Sequence, residues 1–503
     1  MTPLTEATPA TASSPPAAKG IRSVPNYIGG RFVEPKSVTS LPVTNPSTGR
    51  QIASVPLSTR ADVDEAVQSA RAAFPAWSAT PIKERVQVFF RYKSLFEKNA
   101  KELAELVHEE NGKIMNEAMA EIEKAIEVTE FACSMPQLNA GEILEVSKGV
   151  ECRIDRYPIG VVASITPFNF PNMVPNWTIP NALVLGNTMI LKPSEQVPLS
   201  SIRIAELLKE AGLPDGVFNV VQGGQAAVEA ICDHRGIEAV TFVGSTRVAK
   251  IVYTRATSHF KRALCLGGAK NHLIVLPDAH EEMTASNVAA SMSGCAGQRC
   301  MAASAMVAVG SVDRIIQRLC DEARKIVPGK NLGAVISKQA KERIEHYITE
   351  AEQQGAKVLV DGRGVSVEGK EEGYYVGPTV IDFVKPEMKI AQEEVFGPVL
   401  SIMRTKTVDE ALHIENNSPY GNAASVFTQS GGAARYVIER ASAGMIGVNI
   451  GVPVPREPFS FGGWNESKFG SGDITGKSSI EFFTKLKKTT TKWNPESKTN
   501  WMS

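Results

Sequence analysis

The spacing of apolar residues divides the chain into a helical part and two parts in which strands and helices alternate. Residues 62 to 131 repeat apolar positions every three or four residues, as in DVDEAVQSARAAF, and predict amphipathic helices. Further along, short β-rich runs such as GVVASITPF and NTMILKPS alternate with helical stretches such as PLSSIRIAELLKEAG. This alternation is typical of a parallel sheet with crossover helices, so the sequence predicts an α/β fold.

A second unit of the same kind begins near residue 268. The segments NHLIVLPD, SAMVAVG, VLSIMRT and AASVFTQS predict its strands, and helical segments separate them. Two extended pieces fall outside both units: GVECRIDRYP, before the first parallel strand, and the C-terminal SIEFFTKLKKTTTKW. Both predict strands that pair outside the main sheets, for instance across subunits.

Length and charge narrow the class of protein. A chain of 503 residues is too long for one compact core and favours two or three domains. Its 54 Lys and Arg residues balance 54 Asp and Glu residues, which disfavours binding to nucleic acid. Apolar runs all fall short of the roughly 20 residues that span a bilayer, so no membrane partner is expected. The first twenty residues lack the pattern of a secretory or Arg-rich transit peptide and predict a disordered lead-in.

The cysteines pose the main chemical question. Seven cysteines without Cys-x-x-Cys spacing disfavour a disulfide framework or a zinc site, and indicate a reduced, cytoplasmic protein without a metal. Two of them, Cys295 and Cys300, lie in GCAGQRCMA. The positive charge of Arg299 would favour a thiolate on Cys300, the form that acts as a nucleophile. Burial as a small apolar side chain is the commoner fate of a cysteine, and the loop alone leaves both readings open.

Two motifs follow predicted strands of the first unit. TPFNFPNMVPN places the amide of Asn169 in an apolar slot that suits an oxyanion, although a packed turn would have the same sequence. In ILKPSE, Lys192 and Glu195 are spaced to hold ribose hydroxyls or to form an ordinary surface ion pair. Each motif alone is a weak signal.

Two further motifs are equally weak alone. FVGSTRVAK predicts a helix that begins after a glycine, where backbone N–H groups favour a phosphate, but it lacks the G-x-G-x-x-G fingerprint. EEVFGP joins two carboxylates to an aromatic residue before a strand. Taken together and in order, PFNFP, KPSE, FVGST, LGG, GQRC and EEVFGP resemble the aldehyde dehydrogenase superfamily over residues 25 to 490.

The resemblance implies an α/β fold with two Rossmann-type domains and a β oligomerisation flap. Its implied division is a disordered lead-in (1–22), an NAD-binding domain (23–147 and 164–267), a catalytic domain (268–470), and a flap with a C-terminal tail (148–163 and 471–503). A homotetramer or a homodimer is expected.

The resemblance also implies residue roles. Cys300 corresponds to the nucleophile and Asn169 to the oxyanion donor, whereas Cys295 keeps a packing role. NAD is favoured over NADP because no arginine closely follows KPSE. The residues implied in cofactor binding are Thr166, Phe168, Lys192, Glu195, Gly244, Ser245, Glu394 and Phe396.

The sequence departs from the family at one catalytic position. Most hydrolytic members carry a glutamate in Glu-Leu-Gly-Gly, where ALCLGGAKNH has Cys265, or Leu266 if Ala269 shifts the register. Neither side chain is a carboxylate base, and the neighbouring Arg262 and Lys270 are cations. Without a base to activate water, coenzyme A is the expected acceptor of the acyl group.

Four longer segments narrow the resemblance to CoA-acylating methylmalonate-semialdehyde dehydrogenases: GGAKNHLIVLPDA, GQRCMA, ITPFNFPNMVPNW and NNSPYGNAASVFT. That subfamily oxidises malonate or methylmalonate semialdehyde, releases CO₂ and forms acetyl-CoA or propionyl-CoA in valine, β-alanine and inositol breakdown. Such a substrate needs a cation for its carboxylate, and the candidates are Lys124, where the subfamily usually has an arginine, Arg299 and Arg456. The alternatives are a hydrolytic aldehyde dehydrogenase whose base lies elsewhere and a catalytically silent binding protein.

Overall fold

The structure, a computed structural model, describes residues 21–37 and 39–493. Its helices follow the amphipathic and buried segments of the sequence: α1 (Arg60–Ala79), α2 (Ile82–Lys98), α3 (Ala100–Asn111), α4 (Met115–Cys133), α5 (Met135–Leu138), α6 (Met173–Val184), α7 (Leu199–Glu210), α8 (Gln225–Asp233), α9 (Thr246–Ser258), α10 (Glu281–Ser293), α11 (Asp313–Arg324), α12 (Lys338–Gln353), α13 (Lys389–Gln392), α14 (Val408–Asn416), α15 (Gly431–Arg440) and α16 (Ser478–Phe483).

The strands are β1 (Arg22–Ser23), β2 (Asn26–Ile28), β3 (Arg31–Val33), β4 (Ser40–Thr44), β5 (Gln51–Pro56), β6 (Glu142–Ser147), β7 (Val150–Pro158), β8 (Val161–Ile165), β9 (Thr188–Lys192), β10 (Phe218–Val220), β11 (Ala239–Val243), β12 (Arg262–Leu266), β13 (Asn271–Val275), β14 (Ala303–Val309), β15 (Lys357–Val360), β16 (Thr379–Asp382), β17 (Val399–Thr405), β18 (Tyr420–Gly421), β19 (Ala423–Phe427), β20 (Met445–Val448), β21 (Trp464–Asn465), β22 (Lys468–Phe469) and β23 (Thr484–Lys492).

The first large sheet has eight strands in the order β22-β12-β11-β8-β9-β10-β2-β3. The five central strands, β12, β11, β8, β9 and β10, run parallel to one another. The edge strands pair antiparallel: β22 with β12 at one edge, and β2 with β10 and β3 with β2 at the other. Every residue of β8 and β9 is buried. Helices cover both faces of such a sheet, which explains why these strands are continuous apolar runs in the sequence.

The second large sheet has seven strands in the order β15-β16-β17-β14-β13-β19-β20, all parallel except β15. Side chains alternate between two apolar cores along its strands. In β14, Ala305 and Val307 belong to one core, and Met306 and Ala308 to the other. The prediction of an α/β fold with two alternating units is therefore confirmed.

The two sheets meet where the first ends and the second begins. Residues 267–270 join the carboxyl end of β12 to the amino end of β13. The carboxyl edge of the eight-stranded sheet, where ligands bind in open α/β sheets, therefore lies against the amino edge of the seven-stranded sheet.

The third sheet is built from the extended pieces that fell outside both units. It has the order β23-β7-β6, and β23 pairs antiparallel with β7 along its whole length. The strand β6 (142–147) joins this sheet by a hairpin with β7, which apolar periodicity did not reveal, and β8 begins the eight-stranded sheet at Val161. The domain bounds implied by the resemblance stay a prediction.

The structure also differs from two expectations for the ends of the chain. Ser478–Phe483, expected as a strand, forms the helix α16, because its apolar residues pack into the core at helical spacing. Arg22, expected in the disordered lead-in, begins β1 and pairs with β5. The rest of that prediction, residues 1–20, and the tail from residue 494 lie outside the described residues. Within the described ranges, no helix is long and apolar enough to cross a bilayer.

Candidate active site

Cys300 lies between a short 3-10 helix, Gly294–Gly297, and β14. Its backbone carbonyl accepts hydrogen bonds of 2.8 Å from the Nδ2 atoms of both Asn271 and Asn422. Asn271 begins β13, and Asn422 immediately precedes β19. The seven-stranded sheet thus fixes the backbone of Cys300, a half-buried residue whose thiol is surrounded by protein.

The thiol of Cys300 is protonated near neutral pH in this arrangement. Burial raises its pKa to about 12, and the negative charge of Glu394 acts in the same direction. The positive charge of Arg299 opposes both effects and does not overcome them. Arg299 therefore favours the thiolate, as expected from the sequence, but burial and Glu394 outweigh its charge.

Asn169 follows β8 and reaches the cysteine loop. Its buried side-chain amide donates a 2.9 Å hydrogen bond to the backbone carbonyl of Gln298, two residues before Cys300. Gln298 is itself fixed, because its side-chain oxygen accepts a 3.0 Å hydrogen bond from the backbone N–H of Ile336. The structure thus brings together the two residues to which the sequence assigned chemistry.

A glycine allows the EEVFGP segment to approach the cysteine loop. Gly297 has a φ of 71°, and a Cβ at this position would lie 2.0 Å from the carbonyl oxygen of Gly397. On the same segment, Phe396 packs edge-to-face on Phe168, with ring centroids 5.8 Å apart. Residues 166–176 and 393–398 therefore pack against each other through Phe168 and Phe396.

Glu394 points back to the junction between the two sheets. Its Oε1 accepts a 3.0 Å hydrogen bond from the backbone N–H of Ala269. Burial raises the pKa of Glu394 to about 7, although this hydrogen bond and the charge of Lys270 oppose the shift. Lys270 is buried as well and donates to the carbonyl of Ile390, and burial lowers its pKa to about 8.

The remaining predicted cofactor residues line the carboxyl ends of three adjacent strands. Thr166 follows β8, Lys192 ends β9, and Ser245 lies between β11 and α9; these strands are neighbours in the order β11-β8-β9. The backbone N–H of Thr166 donates to the carbonyl of Lys192 at 3.1 Å. Lys192 and Glu195 form an ion pair, with 3.2 Å between Nζ and Oε2, which is the alternative that the sequence left open beside ribose binding.

The helix start at Ser245 is open to a ligand. The Ser245 side chain makes no capping hydrogen bond to α9, so the N–H groups of the first turn remain available for an anion. A Cβ on Gly244, just before it, would lie 2.5 Å from the ring of Phe242. A side chain at position 244 would therefore displace the ring of Phe242.

The three candidate cations for a substrate carboxylate lie on different segments. Arg299 lies beside Cys300, and its guanidinium contacts the Sγ of Cys295 at 3.3 Å. Lys124 on α4 forms ion pairs of 2.6 Å with Glu457 and 3.2 Å with Glu127. These two acids compensate the charge of Lys124.

Arg456 is exposed on the loop between β20 and β21. It precedes Glu457, the partner of Lys124, so Lys124 and Arg456 lie near each other through this acid. The structure does not gather the three cations into one cluster around the thiol.

The positions that lack the family glutamate are both buried in β12. Leu266 belongs to the apolar core against which Cys300 packs, whereas Cys265 belongs to the core on the opposite face of the sheet. Burial raises the pKa of the Cys265 thiol far above its usual range. Arg262 is used elsewhere, since it donates to backbone carbonyls near the start of β23.

Sequence reasoning missed the groups that hold the site in place. Asn271 and Asn422 fix the cysteine carbonyl, and Lys113, Glu117 and Glu121 contact the loops around it. The only available signal was weak: Glu117 and Glu121 are spaced four apart on α4, hence on one helix face. All seven cysteines are free, and residues 21–37 and 39–493 contain no group of three His, Cys, Asp or Glu suited to a metal.

Comparison with known proteins agrees with this geometry. The model of the aldehyde dehydrogenase family matches residues 32–489. The chain is 45% identical to malonate-semialdehyde dehydrogenase 1 of Geobacillus thermodenitrificans over 94% of this chain and 99% of that protein. A malonate-semialdehyde dehydrogenase 2 of Bacillus thuringiensis is 46% identical over 93% of this chain and 98% of that protein.

Solved structures are similarly close. Methylmalonate-semialdehyde dehydrogenase of Oceanimonas doudoroffii superimposes with a TM-score of 0.93 at 43% identity, covering 94% of this chain and 99% of that one. A Sinorhizobium meliloti protein named after the same enzyme, complexed with NAD, gives 0.94 at 41% identity, covering 96% and 100%. Both the fold and the suspected resemblance are confirmed. The chain therefore belongs to the aldehyde dehydrogenase family.

Proposed function

We propose that this protein is an NAD-dependent, CoA-acylating dehydrogenase that converts malonate or methylmalonate semialdehyde to acetyl-CoA or propionyl-CoA and CO₂. The observation that carries the proposal is the contact between Asn169 and the backbone of Gln298, which brings an amide donor to the loop of Cys300. The names of the relatives at 45% and 46% identity agree with this substrate class.

In this proposal Cys300 is the nucleophile. Its thiolate attacks the aldehyde carbon, and the Asn169 amide with the backbone N–H of Cys300 stabilises the negative charge on the former carbonyl oxygen. The hydrogen bonds from Asn271 and Asn422 keep the backbone of Cys300 still during the attack. Because the thiol pKa is about 12, a proton must leave before the attack, and the nearby cation Arg299 supports that loss.

The residues present fit NAD. The open N-terminus of α9 at Ser245 would hold a phosphate, and Lys192 with Glu195 would hold the adenosine ribose. Thr166, Phe168, Gly244, Glu394 and Phe396 would complete the site. When bound, NAD supplies the acceptor for the hydride of the aldehyde.

Coenzyme A is the proposed acyl acceptor. Leu266, on the face of β12 that shares a core with Cys300, has no group that could activate water. The thiol of coenzyme A would attack the carbonyl of the Cys300 thioester, forming a new C–S bond as the bond to Cys300 breaks. The proton of the incoming thiol is released, and the Cys300 thiolate is the leaving group.

Among the cations, Arg299 is the best placed for the substrate carboxylate. It adjoins Cys300, and its nearest acid, Glu117, lies 3.6 Å away, farther than the acids that pair with Lys124. Once the aldehyde carbon has become the thioester carbonyl, the C–C bond between the adjacent carbon and the carboxylate can break. CO₂ leaves, the electron pair is delocalised as the thioester enolate, and the enolate takes up a proton to give the acetyl or propionyl thioester. Lys124 and Arg456, which lie near each other through Glu457, are the second candidates.

One observation favours the hydrolytic alternative. The carboxylate of Glu394 influences the Cys300 thiol, and its pKa of about 7 is suited to a general base near neutral pH. Incubating the enzyme with NAD and malonate semialdehyde, with and without coenzyme A, and identifying the product by mass spectrometry tests the choice. Acetyl-CoA formed only with coenzyme A supports the proposal; free acid formed at the same rate without it supports hydrolysis.

The remaining parts of the proposal concern assembly and location. The strand β6 is exposed along its whole length, including Ile143 and Leu144, so association of this sheet with another subunit would remove apolar surface from water. We therefore propose a homotetramer or a homodimer. Seven free cysteines agree with a cytoplasmic location, and the proposed products agree with a role in valine catabolism.

A further inference from the structure

Three charged residues of α4 line one face of the helix and contact three different loops around the site. Glu117, Glu121 and Lys124 are spaced by four and three residues, which places them above one another on the same face. Glu117 contacts the cysteine loop, Glu121 contacts the segment after Asn169, and Lys124 pairs with Glu457. One rigid helix thus connects segments that are far apart in sequence.

Glu117 holds the start of the cysteine loop. Its Oε1 accepts a 2.6 Å hydrogen bond from the backbone N–H of Cys295 and lies 3.6 Å from the guanidinium of Arg299. Cys295 has a φ of 53°, a left-handed conformation that costs free energy in a residue with a side chain. The hydrogen bond from Glu117 therefore stabilises a strained turn five residues before Cys300.

Glu121 contacts the segment around Asn169 through both of its carboxylate oxygens, one directly and one through Lys113. Its Oε1 accepts hydrogen bonds from the backbone N–H groups of Asn172 at 2.8 Å and Met173 at 3.0 Å, where α6 begins. Its Oε2 is paired with the buried ammonium of Lys113, which also donates to the backbone carbonyl of Asn169. The pair is almost completely buried, so solvent does not screen it.

We propose that Glu117 and Glu121 are positioning residues that keep the Cys300 loop and the Asn169 segment at a fixed separation. The proposal rests on the roles assigned to Cys300 and Asn169 under the proposed function. Both acids hold backbone N–H groups, and they stand one turn apart on a helix packed into the core. A displacement of about 1 Å between nucleophile and oxyanion donor can cost about 10²-fold in rate.

The test compares four variants in a rapid-mixing measurement of the first turnover, with NAD in excess and malonate semialdehyde or propanal as substrate. Glu117→Ala removes the hydrogen bond to Cys295, while Glu117→Gln keeps an oxygen acceptor. Glu123→Ala is the matched control, because Glu123 lies on the exposed face of the same helix. Lys113→Met combined with Glu121→Gln removes the buried pair without leaving one charge uncompensated.

We expect the variants to change the rate constant of the first turnover but not its amplitude. Glu117→Ala and the double variant should lower the first-turnover rate constant about 10- to 100-fold with both aldehydes, while the amplitude, which counts folded active sites, stays near one per subunit. Glu117→Gln should recover most of the rate, and Glu123→Ala should match the wild type. The Kd of NAD should stay unchanged in all four.

Three outcomes would overturn the proposal. A reduced amplitude with a normal rate constant would show a merely structural role, and a change confined to malonate semialdehyde would show that Glu117 acts only through Arg299. Wild-type rates in Glu117→Ala and the double variant would exclude positioning altogether. A different measurement tests the proposed function: formation of free acid by the wild type without coenzyme A would contradict it. The comparison of first-turnover rate constants would still be valid in that case.

Discussion

The proposed cofactor side and the proposed substrate side of the site are built on different principles. On the proposed cofactor side, Thr166, Lys192 and Ser245 lie at the carboxyl ends of adjacent parallel strands, so the spacing of the sheet fixes how far apart they lie. On the substrate side, Arg299 and Lys124 depend on ion pairs with acids from other segments. Strand ends can be predicted from sequence, whereas ion pairs between distant segments cannot.

The largest expected effect concerns Cys300, the proposed nucleophile. Cys300→Ala should abolish NADH formation with every aldehyde, a loss on the order of 10⁴-fold or more, because no covalent intermediate can form. Cys295→Ala should keep most of the activity, since its buried thiol contacts Arg299 and is not the proposed nucleophile. Steady-state NADH absorbance measures both; a burst of NADH from Cys300→Ala would remove it as the nucleophile.

Asn169 should come next in magnitude. Asn169→Ala removes the amide donor that the structure brings to the cysteine loop, and kcat should fall about 10²- to 10³-fold with little change in the KM for NAD. Kinetics at saturating NAD measure the effect. A kcat within a few-fold of the wild type would mean that other donors stabilise the oxyanion.

On the cofactor side, the expected change is in binding. Lys192→Ala should raise the KM for NAD about 10- to 100-fold and leave kcat nearly unchanged, because a charged hydrogen bond to a ribose, worth about 1.5–3 kcal/mol, acts alike in the ground and transition states. Glu195→Ala should have a smaller effect, since Glu195 is more exposed. Unchanged KM values in both variants would exclude these residues from the site.

On the substrate side, the readout is selectivity. We expect alanine substitution of Arg299 to lower the preference for malonate semialdehyde over propanal about 10-fold or more, since an unpaired carboxylate would remain. Lys124→Ala and Arg456→Ala should change the ratio less, because acids compensate Lys124 and Arg456 is exposed to solvent. If all three variants kept the wild-type ratio of kcat/KM for malonate semialdehyde to kcat/KM for propanal, the proposal of a carboxylated substrate would be wrong. The proposed reaction class would not be affected by that result.

The smallest expected effect concerns the thiol itself. Its raised pKa means that the reactive thiolate fraction grows about tenfold per pH unit between pH 7 and 9, and the rate of alkylation by iodoacetamide should follow. Glu394→Gln removes the neighbouring negative charge, lowers the thiol pKa and should speed alkylation a few-fold at pH 8. Peptide mapping of Cys300 measures the rate of alkylation. Slower alkylation of Glu394→Gln would contradict the inference that Glu394 raises the pKa of the thiol.

Particular residues show how far the sequence predicts this molecule. The buried runs of β8 and β9, the helix after Gly244 and the pair of Lys192 and Glu195 are all local patterns, and the structure has them as expected. The hairpin of β6 with β7 and the helix α16 were missed, because pairing and packing decide their form.

The supports of the site were missed for the same reason. Asn271 and Asn422 lie 151 positions apart, yet both donate to the carbonyl of Cys300. The pair of Lys113 and Glu121 depends on how α4 packs beside α6, which single-sequence periodicity does not specify. Residue roles that rest on contacts between distant segments therefore require the structure.

The most direct test of the central claim is the time course of NADH formation by the wild-type enzyme with NAD and malonate semialdehyde but without coenzyme A. The account predicts a burst of about one NADH per active site, followed by near arrest, since Leu266 and Cys265 offer no base for hydrolysis of the thioester. Addition of coenzyme A should restore steady turnover. Leu266→Glu, on the face of β12 that shares a core with Cys300, should raise the CoA-independent rate, whereas Cys265→Glu, on the opposite face, should not. Rapid multiple turnover of the wild type to free acid without coenzyme A would contradict the account.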